Sequence, residues 1–81
     1  MNVIDMVKGC VLMRTERGRY ASVLDEIRKI PGVTGAYPVL GRFDVVAYVS
    51  AKDPSSMGSS IMRMSRMSGV VFTESLIEVT E

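Results

Sequence analysis

The sequence predicts an α+β domain of βαββαβ order, on three observations. Apolar runs too short for helices alternate with two stretches of helical period. Each helical stretch ends in a glycine turn, Pro31-Gly32-Val33 and then Ser68-Gly69-Val70, and a shift of 37 residues (position 32 to position 69) lays one turn on the other, the first strand on the third and the first helix on the second. Between the halves Gly41 reverses the chain within Val39-Leu40-Gly41-Arg42-Phe43-Asp44-Val45, because glycine takes positive φ at no steric cost. Two βαβ halves joined by a hairpin make the ferredoxin-like plait. Right-handed crossovers then put both helices on one face of an antiparallel sheet of order 4-1-3-2.

Val7 to Arg14 is nearly continuous apolar sequence, too short for a good helix and followed by Thr15 and Gly18, which predicts a central strand. From Arg19 the period changes: Tyr20, Val23, Leu24, Ile27 and Ile30 recur at helical spacing against Asp25, Glu26, Arg28 and Lys29. Pro31-Gly32 stops that helix. Val33 to Leu40 is the second strand, and Pro38, which cannot donate to a ladder, assigns it to an edge. The third strand runs from Phe43 to about Ser50. Asp53 as N-cap and Pro54 in the first helical position open a second helix that reaches about Met67. Gly58 and five serines between 55 and 65 give it low helix propensity, so the stripe Met57, Ile61 and Met64 must hold it by packing. Ser68-Gly69 ends it, and Val70 to Val79 is the last strand.

Composition narrows the function classes. A chain of 81 residues builds one core, so a single domain is expected over residues 1–81. At 47% hydrophobic and 23% charged it is a folded protein, and a net charge of +1 gives no strong pull toward nucleic acid or anionic membrane. The single cysteine, Cys10, excludes an internal disulfide, suits a reducing compartment and is expected in the core. The absence of histidine removes the commonest general base and the commonest neutral metal ligand. With no cofactor motif and only scattered acids, neither an enzyme nor a bound cofactor or metal is expected. The apolar stretch Val7 to Met13 is broken by Lys8 and falls far short of the ~20 residues a membrane helix needs. A cytoplasmic domain with no membrane partner is the expectation.

The strands are apolar on both faces. The third puts Phe43, Val45, Ala47 and Val49 on one side but Val46 and Tyr48 on the other, and the first sets Val11 and Met13 against Cys10 and Leu12. Two helices cover only one face, and an exposed apolar face marks an interface. The sequence therefore predicts a homodimer through the open sheet faces. RNA-recognition modules share this topology but need aromatic platforms on both central strands. Tyr48 is in place, yet Asp44 repels phosphate, Val45 cannot stack a base, and the first strand has no aromatic residue.

Ile30-Pro31-Gly32-Val33, then Tyr37 and Val39, then Gly41-Arg42-Phe43-Asp44, and finally Gly69-Val70 followed by Thr73-Glu74-Ser75-Leu76-Ile77 carry a resemblance. In order and spacing, from about Lys8 to Glu78, the chain resembles the stand-alone ligand-sensing (RAM) domain of the Lrp/AsnC feast/famine regulators. The resemblance implies dimers that assemble further into octameric rings, with amino-acid effectors bound in clefts between dimers. It implies ligand-binding roles for Gly41, Arg42, Phe43 and Asp44 of the hairpin and for the hydroxyl pair Thr73 and Ser75 on the last strand. The chemistry is apt, since a zwitterion needs a carboxylate for its ammonium and amides or hydroxyls for its carboxylate. Thr73 and Ser75, two residues apart, project from one face of a strand.

The alternative for Asp44 is a cap on backbone amides of the turn. Leu40 stands where the family often has threonine, and Phe72 stands near a position that is frequently small or polar. Either narrows the cleft or turns its preference toward an apolar side chain, and a vestigial site in a pure assembly module is the alternative function. Full-length members carry an N-terminal helix-turn-helix domain, whereas this chain begins about six residues before its first strand. It is expected not to bind DNA directly, and to act in transcriptional regulation by sensing a metabolite or by co-assembling with full-length Lrp/AsnC regulators.

Overall fold

Alternation along the first strand decides how the sheet is layered. In a computed structural model that describes residues 6–79, β1 (Val7–Thr15) sends Val11 and Met13 into the core. Cys10 and Leu12, which alternate with them, are half-buried on the opposite face. The terminal residues 1–5 and 80–81 of the expected single domain lie outside the described residues. The remaining elements are α1 (Tyr20–Ile27), β2 (Val33–Pro38), β3 (Val45–Ala51), α2 (Pro54–Ser65) and β4 (Val70–Ile77). The four strands form one antiparallel sheet of order β2-β3-β1-β4, which is 4-1-3-2 from the other end, with β1 central and β2 at an edge.

Both helices pack on the Val11–Met13 face. Val23, Leu24 and Ile27 from α1 and Met57 and Met64 from α2 share one core with Ala36, Val45, Ala47, Val49 and Ala51. The helices are held differently. At eight residues α1 is too short to stand alone, and Arg19 at its N-cap supplies no side-chain cap. Its three buried side chains carry it. It ends at Ile27 rather than Ile30 because its last turn tightens: Lys29 N–H donates to Glu26 O (3.2 Å) and Ile30 N–H to Ile27 O (3.0 Å). In α2 the Asp53 carboxylate accepts the Ser56 N–H at 2.7 Å, and Pro54 occupies the first turn.

The internal repeat is one of topology and of turns, not of strand faces. Gly32 and Gly69 both take φ +93°, and the same 37-residue shift lays β2 on β4 with an irregularity in pairing next to Val33 and to Val70. Applied to β1 it carries buried Val11 onto exposed Tyr48 (11 + 37), so core and open faces exchange. The cause is length: four residues link β1 to α1 but two link β3 to α2, and the helices have eight and twelve residues.

The face away from the helices carries Tyr37, Tyr48, Phe72 and Leu76, each about half exposed. Tyr37 and Tyr48 have ring centroids 6.3 Å apart, and Phe43 stacks on Phe72 at 6.3 Å. The Arg14 guanidinium lies 5.8 Å from the Phe72 ring centre. Cys10 belongs to this face, opposite Tyr48 and Leu76, rather than to the core. An even-numbered β1 residue cannot share the side of Val11 and Met13. Among the described residues no helix is long and apolar enough to cross a membrane.

Candidate functional site

The hairpin between β2 and β3 is longer than its sequence predicts. Pairing stops at Pro38 and resumes at Val45, and Val39 N–H donating to Asp44 O at 2.9 Å closes the loop between them. Gly41 takes φ +126°, and a side chain there would meet nothing within 4 Å. Conformation, not crowding, therefore demands glycine at the tip.

Asp44 ties this loop to the end of β1. Its N–H donates to Met13 O at 2.8 Å. Its Oδ2 accepts the Thr15 N–H at 2.8 Å, with the Thr15 hydroxyl 3.4 Å away. The carboxylate thus caps an amide 29 residues distant rather than one in its own turn. Among the described residues nothing donates to Oδ1.

Two concavities meet at this carboxylate. One, of about 470 Å³, is lined by Tyr20, Pro38, Val39, Leu40 and Asp44. The other, of about 600 Å³, is lined by Arg14, Thr15, Glu16, Arg17, Gly18, Tyr20, Gly41, Arg42 and Asp44. Asp44 and Tyr20 border both. The first wall is apolar apart from Asp44 and the Tyr20 hydroxyl, while the second is lined by three arginines, of which Arg14 sets its guanidinium over the Phe72 ring. Its other acid, Glu16, meets the Arg19 guanidinium at 3.5 Å.

Gly41, Arg42 and Asp44 are therefore brought together. Phe43 lines neither concavity and stacks on Phe72. Thr73 and Ser75 lie opposite Met13 and Val11, half-buried on the helix-covered side of β4, and line neither concavity. Thr73 and Val45 flank Met13 from opposite strands, a separation of about 10 Å at two strand spacings. The residues that sequence reasoning missed come from the end of β1, the β1–α1 loop and the start of α1: Thr15, Gly18 and Tyr20. Beside them lie Arg14 and Arg17, which with Arg19 read in the sequence as a candidate anion site or, around Glu16, as a solvated surface. These arginines stand out in the sequence around Glu16, but no local pattern links them to a hairpin beyond a whole helix and strand.

The model of the Lrp/AsnC ligand binding domain matches residues 8–81. The chain belongs to that family. No curated protein matches it. Among solved structures it is similar to TTHA0845 from Thermus thermophilus, at 28% identity and a TM-score of 0.88, covering 94% of this chain and 96% of that one. It is similar as well to hypothetical protein PHS023 from Pyrococcus horikoshii, at 26% identity and a TM-score of 0.86, covering 94% and 93%. It shares its fold with the transcriptional regulator NMB0573 from Neisseria meningitidis, solved as an L-Met complex, at 14% identity and a TM-score of 0.78. That match covers 93% of this chain and 51% of the regulator.

Proposed function

We propose that this Lrp/AsnC domain senses an amino acid in the cleft at Asp44 and works in transcriptional regulation as a homodimer joined through its open sheet faces. The observation that carries the sensing role is the Asp44 carboxylate, oriented by the Thr15 amide on Oδ2 and with Oδ1 facing no donor among the described residues. An ammonium group donates to Oδ1 in a charge-assisted hydrogen bond. The ligand carboxylate pairs with the arginines of the adjoining wall, where Gly18 and Gly41 let backbone approach closely. The L-Met complex of the Neisseria protein supports the ligand class. The half-exposed Tyr37, Tyr48, Phe72 and Leu76 support the dimer, because a second copy removes their apolar surface from water. Thr73 and Ser75, two strands away in the same chain, reach a bound ligand only from a neighbouring copy.

A thermal-shift panel of the twenty amino acids tests this. A ligand present at a hundred times its dissociation constant stabilises the native state by about 2.7 kcal/mol, a rise of several degrees for a small domain. The Asp44→Asn variant keeps an oxygen for the Thr15 amide while removing the charge, so it is expected to fold and to lose the shift. If no amino acid moves the melting point at any protein concentration, sensing fails. The second reading, an assembly module with a vestigial site, then stands. One observation favours it: half of the Asp44 carboxylate is already engaged by Thr15.

A further inference from the structure

One guanidinium outside the cleft ties together three parts of the chain. Arg19, at the N-cap of α1, sends Nη1 to the Glu16 carboxylate at 3.5 Å, Nη2 to the Ser68 hydroxyl at 3.2 Å and Nε to the Ser22 hydroxyl at 3.4 Å. Its side chain lies across Gly69, where a Cβ would stand 3.3 Å from Arg19 Cβ and 3.4 Å from Arg19 Cζ. Backbone bonds close the same unit: Glu16 N–H donates to Gly69 O at 2.8 Å and Arg19 N–H to Glu16 O at 3.0 Å. Arg19 lines neither concavity at Asp44, whereas Glu16 borders the arginine-lined one.

Glu16 is a competitor that the arginine wall carries in its own loop. Arg17 follows it in sequence and Arg42 lines the same wall. Neither of these guanidinium groups has an ion-pair partner among the described residues, while Arg14 is turned to the Phe72 ring. The wall's other acid, Asp44, is held by the Thr15 amide. An exposed ion pair adds little to stability, but the partner that Glu16 takes decides which charges face the cleft. We infer that Arg19 is a positioning residue for the cleft: by holding the Glu16 carboxylate on the Ser68 side, it keeps Arg17 and Arg42 open to an anionic group. Without that guanidinium, Glu16 turns to the arginines of the wall it already borders. A carboxylate tethered in the same loop acts at high effective concentration and displaces a free anion. The inference rests on the reading of these arginines as partners of a ligand anion, whatever ligand carries it.

Inorganic phosphate probes the wall independently of the effector. NMR titration of the full chain with phosphate, against sodium chloride at matched ionic strength, follows the backbone amides of residues 14–18 and 41–44. Saturable shifts are expected there in the wild type. Arg19→Gln keeps an amide at the end of its side chain but no charge, and is expected to raise the phosphate dissociation constant about threefold, within the range of an exposed charge pair. Adding Glu16→Gln removes the competitor and is expected to restore the wild-type value. Before phosphate is added, the Arg17 or Arg42 Nε–H resonance is expected to move in Arg19→Gln and to return in the double variant, a signature that loss of a distant charge or a misshapen loop does not give. Unchanged affinity in Arg19→Gln, a double variant that stays weak, or arginine resonances that do not move each overturn the inference. Absence of saturable shifts in the wild type overturns it together with the arginine half of the cleft. A melting-point rise with an amino acid, abolished by Asp44→Asn, then leaves the Asp44 half standing.

Discussion

The two βαβ halves share a corner and differ in what surrounds it. Gly32 and Gly69 turn the chain at the same φ of +93°. Each corner is closed by a matching bond, from Val33 N–H to Ile30 O at 3.2 Å and from Val70 N–H to Met67 O at 3.1 Å. Beyond Gly32, β2 runs into the loop that carries Gly41 and Asp44; beyond Gly69, β4 forms the opposite edge of the sheet. The helices differ as well: α1 has good apolar spacing and no side-chain cap, whereas α2 has a cap and a glycine- and serine-rich sequence. Duplicated corners set the frame. The candidate site grows where duplication stops, at the single connection between the halves.

The corners are equivalent in conformation but not in surroundings, and alanine separates them. A Cβ on Gly32 sits 2.8 Å from the Ser50 carbonyl oxygen, a backbone atom. Ser50 is itself held, since its N–H donates to Gly32 O at 2.8 Å. A Cβ on Gly69 meets side chains instead, Val23 Cγ2 at 3.1 Å and Arg19 Cβ at 3.3 Å. Both substitutions cost about 1–2 kcal/mol for the left-handed conformation. Gly32→Ala also displaces backbone and is expected to cost about 3 kcal/mol or more in total, against about 1–2 kcal/mol for Gly69→Ala. Urea denaturation reads the difference. Equal losses make the two corners mechanically alike and remove any claim that the half leading to Asp44 is the stiffer.

Local periodicity carried most of the fold into view. The helical spacing of Val23, Leu24 and Ile27, the edge placement of Pro38 and the two-sided apolarity of the sheet were all legible, because each is a repeat of period 3.6 or 2 or a single-residue constraint. What lay hidden depends on long-range register. The core position expected for Cys10 failed because the helices cover the Val11–Met13 side of β1, and alternation alone does not say which side they cover. The 37-residue shift aligned turns and misaligned β1 with β3, since loop lengths change the register while leaving the order of elements intact. The hairpin half of the candidate site was visible in Gly41 and Asp44. Of the other half the sequence showed the arginines as a cluster but not their place beside the hairpin, because the bond from Thr15 to Asp44 spans 29 residues and leaves no trace in either neighbourhood.

A smaller effect tests whether α2 is limited by its sequence. A Cβ on Gly58 meets nothing within 4 Å, so no contact within the chain requires glycine there. Gly58→Ala is expected to stabilise the domain by about 0.5–1 kcal/mol, which denaturant midpoints resolve. A loss instead would show that the outer face of α2 needs to stay flat, for a reason outside its own helix, and would end the contrast between a well-formed α1 and a weak α2.

The smallest effect separates the two helix starts by charge. The Ser56 N–H bonded to Asp53 at 2.7 Å, then the Ser56 hydroxyl and the nearby Lys52 charge, hold the Asp53 carboxyl below the usual carboxylate range. Arg19 gives α1 nothing comparable. Because the folded pKa lies below the unfolded one, the stabilisation is complete above the unfolded value near ~4 and is lost as pH falls through the folded value. Asp53→Asn still presents a capping oxygen but does not titrate. Wild type is therefore expected to exceed Asp53→Asn in urea midpoint at neutral pH, where a negative charge also suits a helix N-terminus, and the gap is expected to close in acid. A gap that stays constant from neutral pH into acid means that the oxygen alone caps the helix. The starts of α1 and α2 then differ in geometry and not in electrostatics.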